Sequence, residues 1–367
     1  MGLRILLLTT DAYGGHGGIA LYNRDIVDAL AAMPDVAEIV VIPRTMPLEP
    51  VGIPGKVRFI AGAVGRKWRF VGAALAAAAS QPFDLVICGH IHLLSLAGLV
   101  NLKLRAPLVL MAYGIDVWQP PSRWARQWLP AVHAIWSISA ITTERMNQWA
   151  RLPATRYVQL PNAIHLDRYG MAPRRTDLQA RHGLVGARVI MTLARLPEKE
   201  RYKGIDEVLK TFPALLQDIP NLKYLVAGDG NDRARLEQKA RTMGIAEHVI
   251  FAGMIPEADK ADYFRLADAF VMPGRGEGFG FVFLEALACG VPVVGSQLDG
   301  SREALRDGLL GELANPADLD SVRACILRAL ATPHGIPPGL SYFDWPHFQA
   351  RLAAALRNLL NSPETSP

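Results

Sequence analysis

Two carboxylates, Glu277 and Glu285, stand eight residues apart in the stretch PGRGEGFGFVFLEALACGVPVV, which runs from Pro273 to Val294. On one continuous helix they would lie about 12 Å apart at ~1.5 Å per residue. That is too far to flank one glycosidic bond, for which a retaining glycosidase needs a pair at about 5 Å. They suit two grips on different parts of one long ligand. Gly274, Gly276, Gly278 and Gly280 leave room for a ligand to approach the main chain there. From Phe281 the pattern turns helical, and Gly290 with Pro292 stops it. The helix start, with unpaired N–H groups and a partial positive charge, suits an anion such as a diphosphate. Glu277 then lies ahead of the helix beside that anion, and Glu285 about one turn inside.

A second set of polar side chains falls at strand ends. The apolar run Asp84–Cys88 leads into Gly89, His90, Ile91 and His92, and Pro107–Ala112 leads into Tyr113, Gly114, Ile115 and Asp116. Ligands of open α/β sheets gather at the carboxyl ends of strands, which places His90, His92, Tyr113 and Asp116 for function. An isolated histidine as often satisfies a core hydrogen bond. The first strand, Arg4–Thr10, ends in a loop with Gly14, Gly15, Gly17 and Gly18, and a helix starts near Ile19. Strand, glycine loop and helix form a phosphate-approach unit, or only a tight turn. No acidic residue closes the next strand in dinucleotide-binding fashion, which argues against a hydride-transferring dehydrogenase.

These groups need elements to carry them. Buried strands are expected at 38–42, 57–60, 84–88, 107–112, 134–139, 157–160, 188–192, 222–227 and 249–251, with a turn-rich strand at 311–316. Helices are expected at 66–80, from 140 after the cap Ser139, at 233–242, at 258–266 and at 342–360, with Leu298–Glu303 capping another. The polar, irregular stretch 166–186 reads as a linker and the first helix of a second half. The tail NSPETSP reads as disordered.

The 367 residues are enough for two ordinary domains, and 50% hydrophobic with 20% charged residues describes a soluble globular chain. No apolar run reaches the ~18–20 residues of a membrane span, and no cleavage site follows the apolar start. Cys88, Cys289 and Cys325 sit in apolar settings without CxxC spacing, as buried thiols of a reducing compartment do. A formal net charge of +5 suits an anionic nucleotide or an anionic membrane surface, and is also within the range of a protein with no such partner. Arg66, Lys67, Trp68, Arg69 and Phe70 open the helix at 66–80 and suit a bilayer interface, or a solvated helix end with one packed aromatic. No cluster has metal-ligand spacing, so neither a metal nor a cofactor is expected.

The string EGFGFVFLE and its flanks, ADAFVMPGRGEGFGFVFLEALACGVPVVGSQLDGSREAL, resemble the retaining glycosyltransferases of family GT4 almost residue for residue. The resemblance implies an α/β fold of the GT-B class: two facing Rossmann-like domains with a cleft between them. An acceptor-binding domain would span 1–168, a nucleotide-sugar domain 187–341, and the last helix, 342–360, would cross back. It implies that Glu285 binds the ribose hydroxyls and Glu277 the sugar hydroxyls, and that the amides of Phe279, Gly280 and Phe281 hold sugar and phosphate. Arg195 and Lys203 match the family's cationic segment and would meet on the diphosphate, with Ala194 where the family has Gly. Gly228 would pass near the nucleotide, and Gly15 and Gly18 near the donor diphosphate and the acceptor. Tyr113 stands where many relatives carry His, while Asp116 keeps the acidic position on the acceptor side.

The implied reaction moves a hexosyl group, with retention, from a UDP- or GDP-sugar to a glycan or lipid-linked acceptor, in the cytoplasm or peripherally at the membrane's inner face. A nucleotide-sugar is then substrate, and no nucleic-acid partner is expected. A sugar-nucleotide epimerase or hydrolase of the same fold, and a two-domain sugar-binding protein, stay open as alternatives.

Overall fold

The computed structural model describes residues 2–15 and 17–361. The expected tail, from 362 onward, lies outside the described residues. The chain divides into two compact units, one of Met1–Ala163 with Pro346–Pro367, the other of Ile164–Trp345.

The first unit is built on β1 (Leu3–Thr9), β2 (Val36–Pro43), β3 (Val57–Phe59), β4 (Leu85–Gly89), β5 (Leu108–Ala112), β6 (Ala134–Ser137) and β7 (Tyr157–Gln159), with α1 (Gly18–Ala32), α2 (Lys67–Ser80), α3 (Leu94–Leu104), α4 (Arg123–Arg126) and α5 (Ala140–Ala150). Its sheet is parallel, in the order β3-β2-β1-β4-β5-β6-β7. β4 and β5 are buried at every residue, which is why they read as unbroken apolar runs and not as alternating ones. The order reverses between β1 and β4. The loops after these two strands therefore leave the carboxyl edge at the crevice where such sheets take ligands.

The second unit carries α6 (Thr176–Arg181), β8 (Arg188–Leu193), α7 (Ile205–Asp218), β9 (Leu222–Ala227), α8 (Arg233–Thr242), β10 (Val249–Gly253), α9 (Lys260–Leu266), β11 (Ala269–Val271), α10 (Phe281–Ala288), β12 (Val293–Ser296), α11 (Ser301–Ala304), β13 (Glu312–Ala314) and α12 (Leu319–Ala331). Its parallel sheet runs β10-β9-β8-β11-β12-β13, so its reversal lies between β8 and β11.

Four helices escape the sequence reading, the single turn of α4 among them. In α7, Pro213 reads as a breaker, yet the helix continues through it. The apolar face of Ile205, Val208, Leu209, Phe212 and Leu215 is buried and outweighs the lost hydrogen bond. α3, LSLAGLVNLKL, is apolar nearly all round and shows no helical period. α12 follows an Asp318 cap that accepts from the amides of Asp320 and Ser321.

The last helix, α13 (Trp345–Leu360), starts later than expected. Pro338–Phe343 form a 3-10 turn, and Asp344 is extended at φ −66°, ψ 164°. Pro346 then sits in the first turn, where its missing N–H is no loss. From Pro346 onward α13 belongs to the first unit. Its Phe348 is fully buried and meets Tyr22 edge-on at 5.9 Å. The two passages of the chain between units are paired within the second: the Ile164 amide donates to the Phe343 carbonyl at 2.7 Å, and Ile164 bridges Asp344 in parallel.

Candidate functional site

The densest constellation lies at the β8/β11 reversal of the second unit. The loop after β8 carries Arg195 and Lys203, and the loop after β11 carries Glu277. The two loops are joined: the Arg275 amide donates to the Tyr202 carbonyl at 2.8 Å, and Lys203 Nζ donates to Glu277 Oε2 at 2.6 Å. Gly204, at φ 86°, lets α7 begin directly against Pro273, where a Cβ would lie 2.5 Å from the Pro273 carbonyl oxygen. The Glu277 backbone is gripped from the far side, since its amide donates to Asp299 Oδ2 at 2.9 Å and its carbonyl accepts from the Gly300 amide at 2.8 Å. Burial works against charge on Lys203, but the adjacent Glu277 carboxylate more than offsets it and holds the lysine above its usual pKa.

Arg195 is not in that ion pair. Its guanidinium is 80% exposed and donates to Glu200 Oε1 at 2.5 Å. Arg195 and Lys203 nonetheless line one cleft, together with Glu200, Arg201, Asp232 and Arg235. Gly228 follows β9 and donates its amide to the Gly253 carbonyl at 2.7 Å. Gly280 caps α10 at φ 96°, a left-handed conformation that favours glycine. Phe281 opens the helix as expected, and Phe279 is fully buried with its ring edge-on to Phe343 at 5.4 Å.

Glu285 sits in different surroundings. It is 3% exposed. Its Oε1 accepts from Lys260 Nζ at 2.6 Å and from the Tyr169 hydroxyl at 2.8 Å. Its Oε2 is buried with no hydrogen-bond partner among the described residues. The two carboxylates thus have separate cations and separate neighbours.

In the first unit the expected residues cluster at the carboxyl edge, with different tasks. The Tyr113 hydroxyl is buried. It lies 2.5 Å from Asn23 Oδ1 and 2.9 Å from the Gly89 carbonyl. Asn23 in turn donates to Thr9 Oγ1 and to the Asp11 carbonyl, both at 2.7 Å. Tyr113 therefore ties the end of β4 to the loop after β1, and its hydroxyl is committed within the unit. That loop contains Gly15, whose backbone lies against the Asp11 carboxylate, and ends at Gly18, the first residue of α1.

His90 Nδ1 accepts from the His92 amide at 3.2 Å. Burial, then the neighbouring His92 and Arg44, push the His90 pKa down to about 4. At neutral pH His90 is uncharged with its proton on Nε2, a donor toward a ligand and not a base. Asp116 Oδ1 accepts from the Tyr113 amide at 3.1 Å, while Oδ2 is buried without a partner among the described residues. Burial raises the Asp116 pKa to about 7, against the pull of backbone amides. His92 is exposed.

Tyr169, Lys260, Glu200, Asp299 and Asn23 were not singled out from sequence. Each acts on a residue that was: Glu200 from five positions away, the other four from 22 to 116 positions, which no spacing rule reaches. Among the described residues no group of three or more His, Cys, Asp or Glu side chains is placed to hold a metal ion.

A family model described as glycosyl transferases group 1 matches residues 175–335, and one described as glycosyltransferase family 4 matches residues 16–168. The chain is 32% identical over 220 residues to a GDP-mannose-dependent alpha-(1-6)-phosphatidylinositol monomannoside mannosyltransferase of Mycolicibacterium smegmatis, covering 56% of this chain and 57% of that one. It is 34% identical over 171 residues to a phosphatidyl-myo-inositol mannosyltransferase of Mycobacterium tuberculosis, covering 46% and 42%. The chain thus spans about half the length of the relatives it matches. In fold it resembles Anabaena HepE in complex with UDP and glucose, at TM-score 0.74 and 20% identity over 97% of this chain and 100% of that one. It also resembles the apo form of the lipopolysaccharide outer core galactosyltransferase WaaB, at 0.72 and 17% over 97% and 99%.

Proposed function

The chain belongs to the family GT4 glycosyltransferases of the GT-B fold, and on that premise we propose that it transfers a hexosyl group from a nucleotide-sugar to a lipid-linked or glycan acceptor, with retention at the anomeric carbon. The observation that carries the reading is the Lys203–Glu277 pair, which bridges two loops at the reversal of the second sheet, just ahead of α10. The donor lies along this edge. Its diphosphate meets Lys203, Arg195 and the amides around Gly280, its sugar hydroxyls meet Glu277, and its ribose meets Glu285.

An ammonium has three donors. One is on Glu277, which leaves two for phosphate oxygens. Departure of the nucleoside diphosphate builds charge on the leaving oxygen, and fixed cations there stabilise the transition state more than the ground state. The acceptor hydroxyl loses its proton to a donor phosphate oxygen on the same face. Asp116 and the Nε2–H of His90 orient the acceptor side. The relative described as GDP-mannose-dependent favours GDP-mannose as the first donor to test.

The acceptor is best read as a lipid headgroup at an anionic bilayer. Between positions 56 and 134 nine Lys or Arg residues face two acids, Asp84 and Asp116. Trp68 on α2 and Trp124 on α4 are 80% and 74% exposed, while Phe70 packs inward. α2 follows β3 and α4 follows β5, so both leave the edge that holds His90, His92 and Asp116. Such basic and aromatic groups suit a headgroup region. Among the described residues no helix is long and apolar enough to cross a membrane.

The test is transfer from GDP- and UDP-sugars to membrane lipid extract, with the product's anomeric configuration read by NMR. An inverted linkage would reject retention, and turnover of neither donor class would reject the donor assignment.

A further inference from the structure

We propose that Tyr169 is a positioning residue for the donor's nucleoside: with Lys260 it pins one oxygen of Glu285 and reserves the other for the ribose hydroxyls. The inference rests on the reading of the second unit as the nucleotide-sugar site. Glu285 Oε1 already has two donors, Lys260 Nζ at 2.6 Å and the Tyr169 hydroxyl at 2.8 Å, while Oε2 is buried and has none among the described residues. A buried carboxylate oxygen without a donor is costly and asks for one. A vicinal diol supplies O–H donors of the right kind.

Lys260 and Tyr169 do different work. The lysine ammonium balances the charge, but on a flexible four-carbon stem it holds the oxygen's direction less firmly than a rigid donor does. The phenol is rigid, and the segment that bears it is packed down. The next carbonyl, that of Gly170, accepts from Arg265 Nε at 2.9 Å, and Met171 lies against Gly290. Two donors held on Oε1 block rotation of the carboxylate about its terminal torsion, so Oε2 keeps its direction. Burial and then the Glu285 charge raise the phenol's pKa, which keeps the hydroxyl a donor. Phe at this position would fill the same space and leave the carboxylate free to turn.

The experiment is equilibrium binding of GDP and UDP, and of their 2′- and 3′-deoxy forms, to the full chain as wild type, Tyr169→Phe and Glu285→Gln. The wild type is expected to prefer the ribose form by about tenfold or more. Tyr169→Phe should lose about tenfold for the ribose form and stay within about twofold for the deoxy forms, so that discrimination collapses. Equal loss for both forms, the mark of a merely structural role, overturns the inference, as does unchanged discrimination. Glu285→Gln, which keeps the volume, should show the same collapse through the partner side chain. Full discrimination in that variant overturns the inference independently of how Tyr169→Phe folds. If the wild type binds neither nucleotide, the donor-site reading fails and takes this inference with it.

Discussion

Asp299 Oδ2 accepts the backbone amide of Glu277 at 2.9 Å, across 22 residues of sequence, while its Oδ1 accepts from the Ser301 hydroxyl at 2.6 Å and the Ser301 amide at 3.1 Å. One buried carboxylate therefore holds the glycine-rich turn in place. Asp299→Ala orphans these buried donors and should destabilise the fold by about 2–4 kcal/mol, with loss of donor affinity. Asp299→Asn keeps one acceptor, for the Glu277 amide, but turns an NH2 toward the Ser301 amide and orphans that donor, so it should cost about half as much as Asp299→Ala. Thermal unfolding of the two variants checks this, and equal losses would show that the carboxylate does not hold the turn.

Lys203→Ala leaves the partly buried Glu277 without its cation. A fully buried pair loses about 3–5 kcal/mol on such a change, and with both side chains near 18% exposed about 2 kcal/mol is expected here. Transfer should fall about 10²–10³-fold, as when one transition-state donor is removed elsewhere. Arg195→Ala removes a guanidinium that is mostly in solvent but leaves Glu200, 13% exposed, without its cation, and should cost about 1 kcal/mol while weakening donor binding. The two effects separate in paired unfolding and kinetic measurements.

The carboxyl edge of the first unit should have a pH signature. Burial lifts the Asp116 pKa to about 7, above the ordinary value near 4. Between these values the folded chain keeps a proton that the unfolded chain has released, so this group's contribution to stability falls as pH rises through that window and is level beyond it. Relative to wild type, Asp116→Asn should gain thermal stability from about pH 4 to about pH 8. His90, pushed down to about 4, has the opposite sign. Its contribution is lost as pH drops from about 6.5, the ordinary value, toward 4, and His90→Gln should flatten that limb. An Asp116→Asn difference that does not change with pH would refute the assignment.

Exposed tryptophans on a basic face should respond to bilayers. Vesicles rich in phosphatidylglycerol should sediment the wild type at low salt and release it as salt screens the charges. Trp68→Ser with Trp124→Ser should weaken sedimentation about tenfold or more while thermal stability stays within about 0.5 kcal/mol. Equal sedimentation of wild type and double variant would move the contact elsewhere on the chain.

Most of the strands were legible because both sheets are parallel and buried, which writes strands as unbroken apolar runs between turn residues. α10 was legible too, since Gly280 directly precedes its first residue and Gly290 follows its Cys289 cap. α7 was hidden by Pro213, and α3 by its lack of a polar face. Glu277 and Glu285 stood out by type and spacing. Their supporting residues did not, because Lys260, Tyr169 and Asp299 reach them from 25, 116 and 22 positions away. Such distances are set by sheet topology, which a local pattern does not encode. Tyr113 illustrates the converse. Its place at a strand end marked it as a ligand contact, whereas its hydroxyl is spent on Asn23 and Gly89.

The first unit is interrupted in sequence: its last helix is supplied after the whole of the second unit. On a ribosome, residues 2–163 emerge long before Phe348 arrives to cover the Tyr22 ring. Half of the molecule must therefore wait, incompletely covered, while the other half is made. Shortening the carboxyl terminus into α13 would strike the half that was synthesised first.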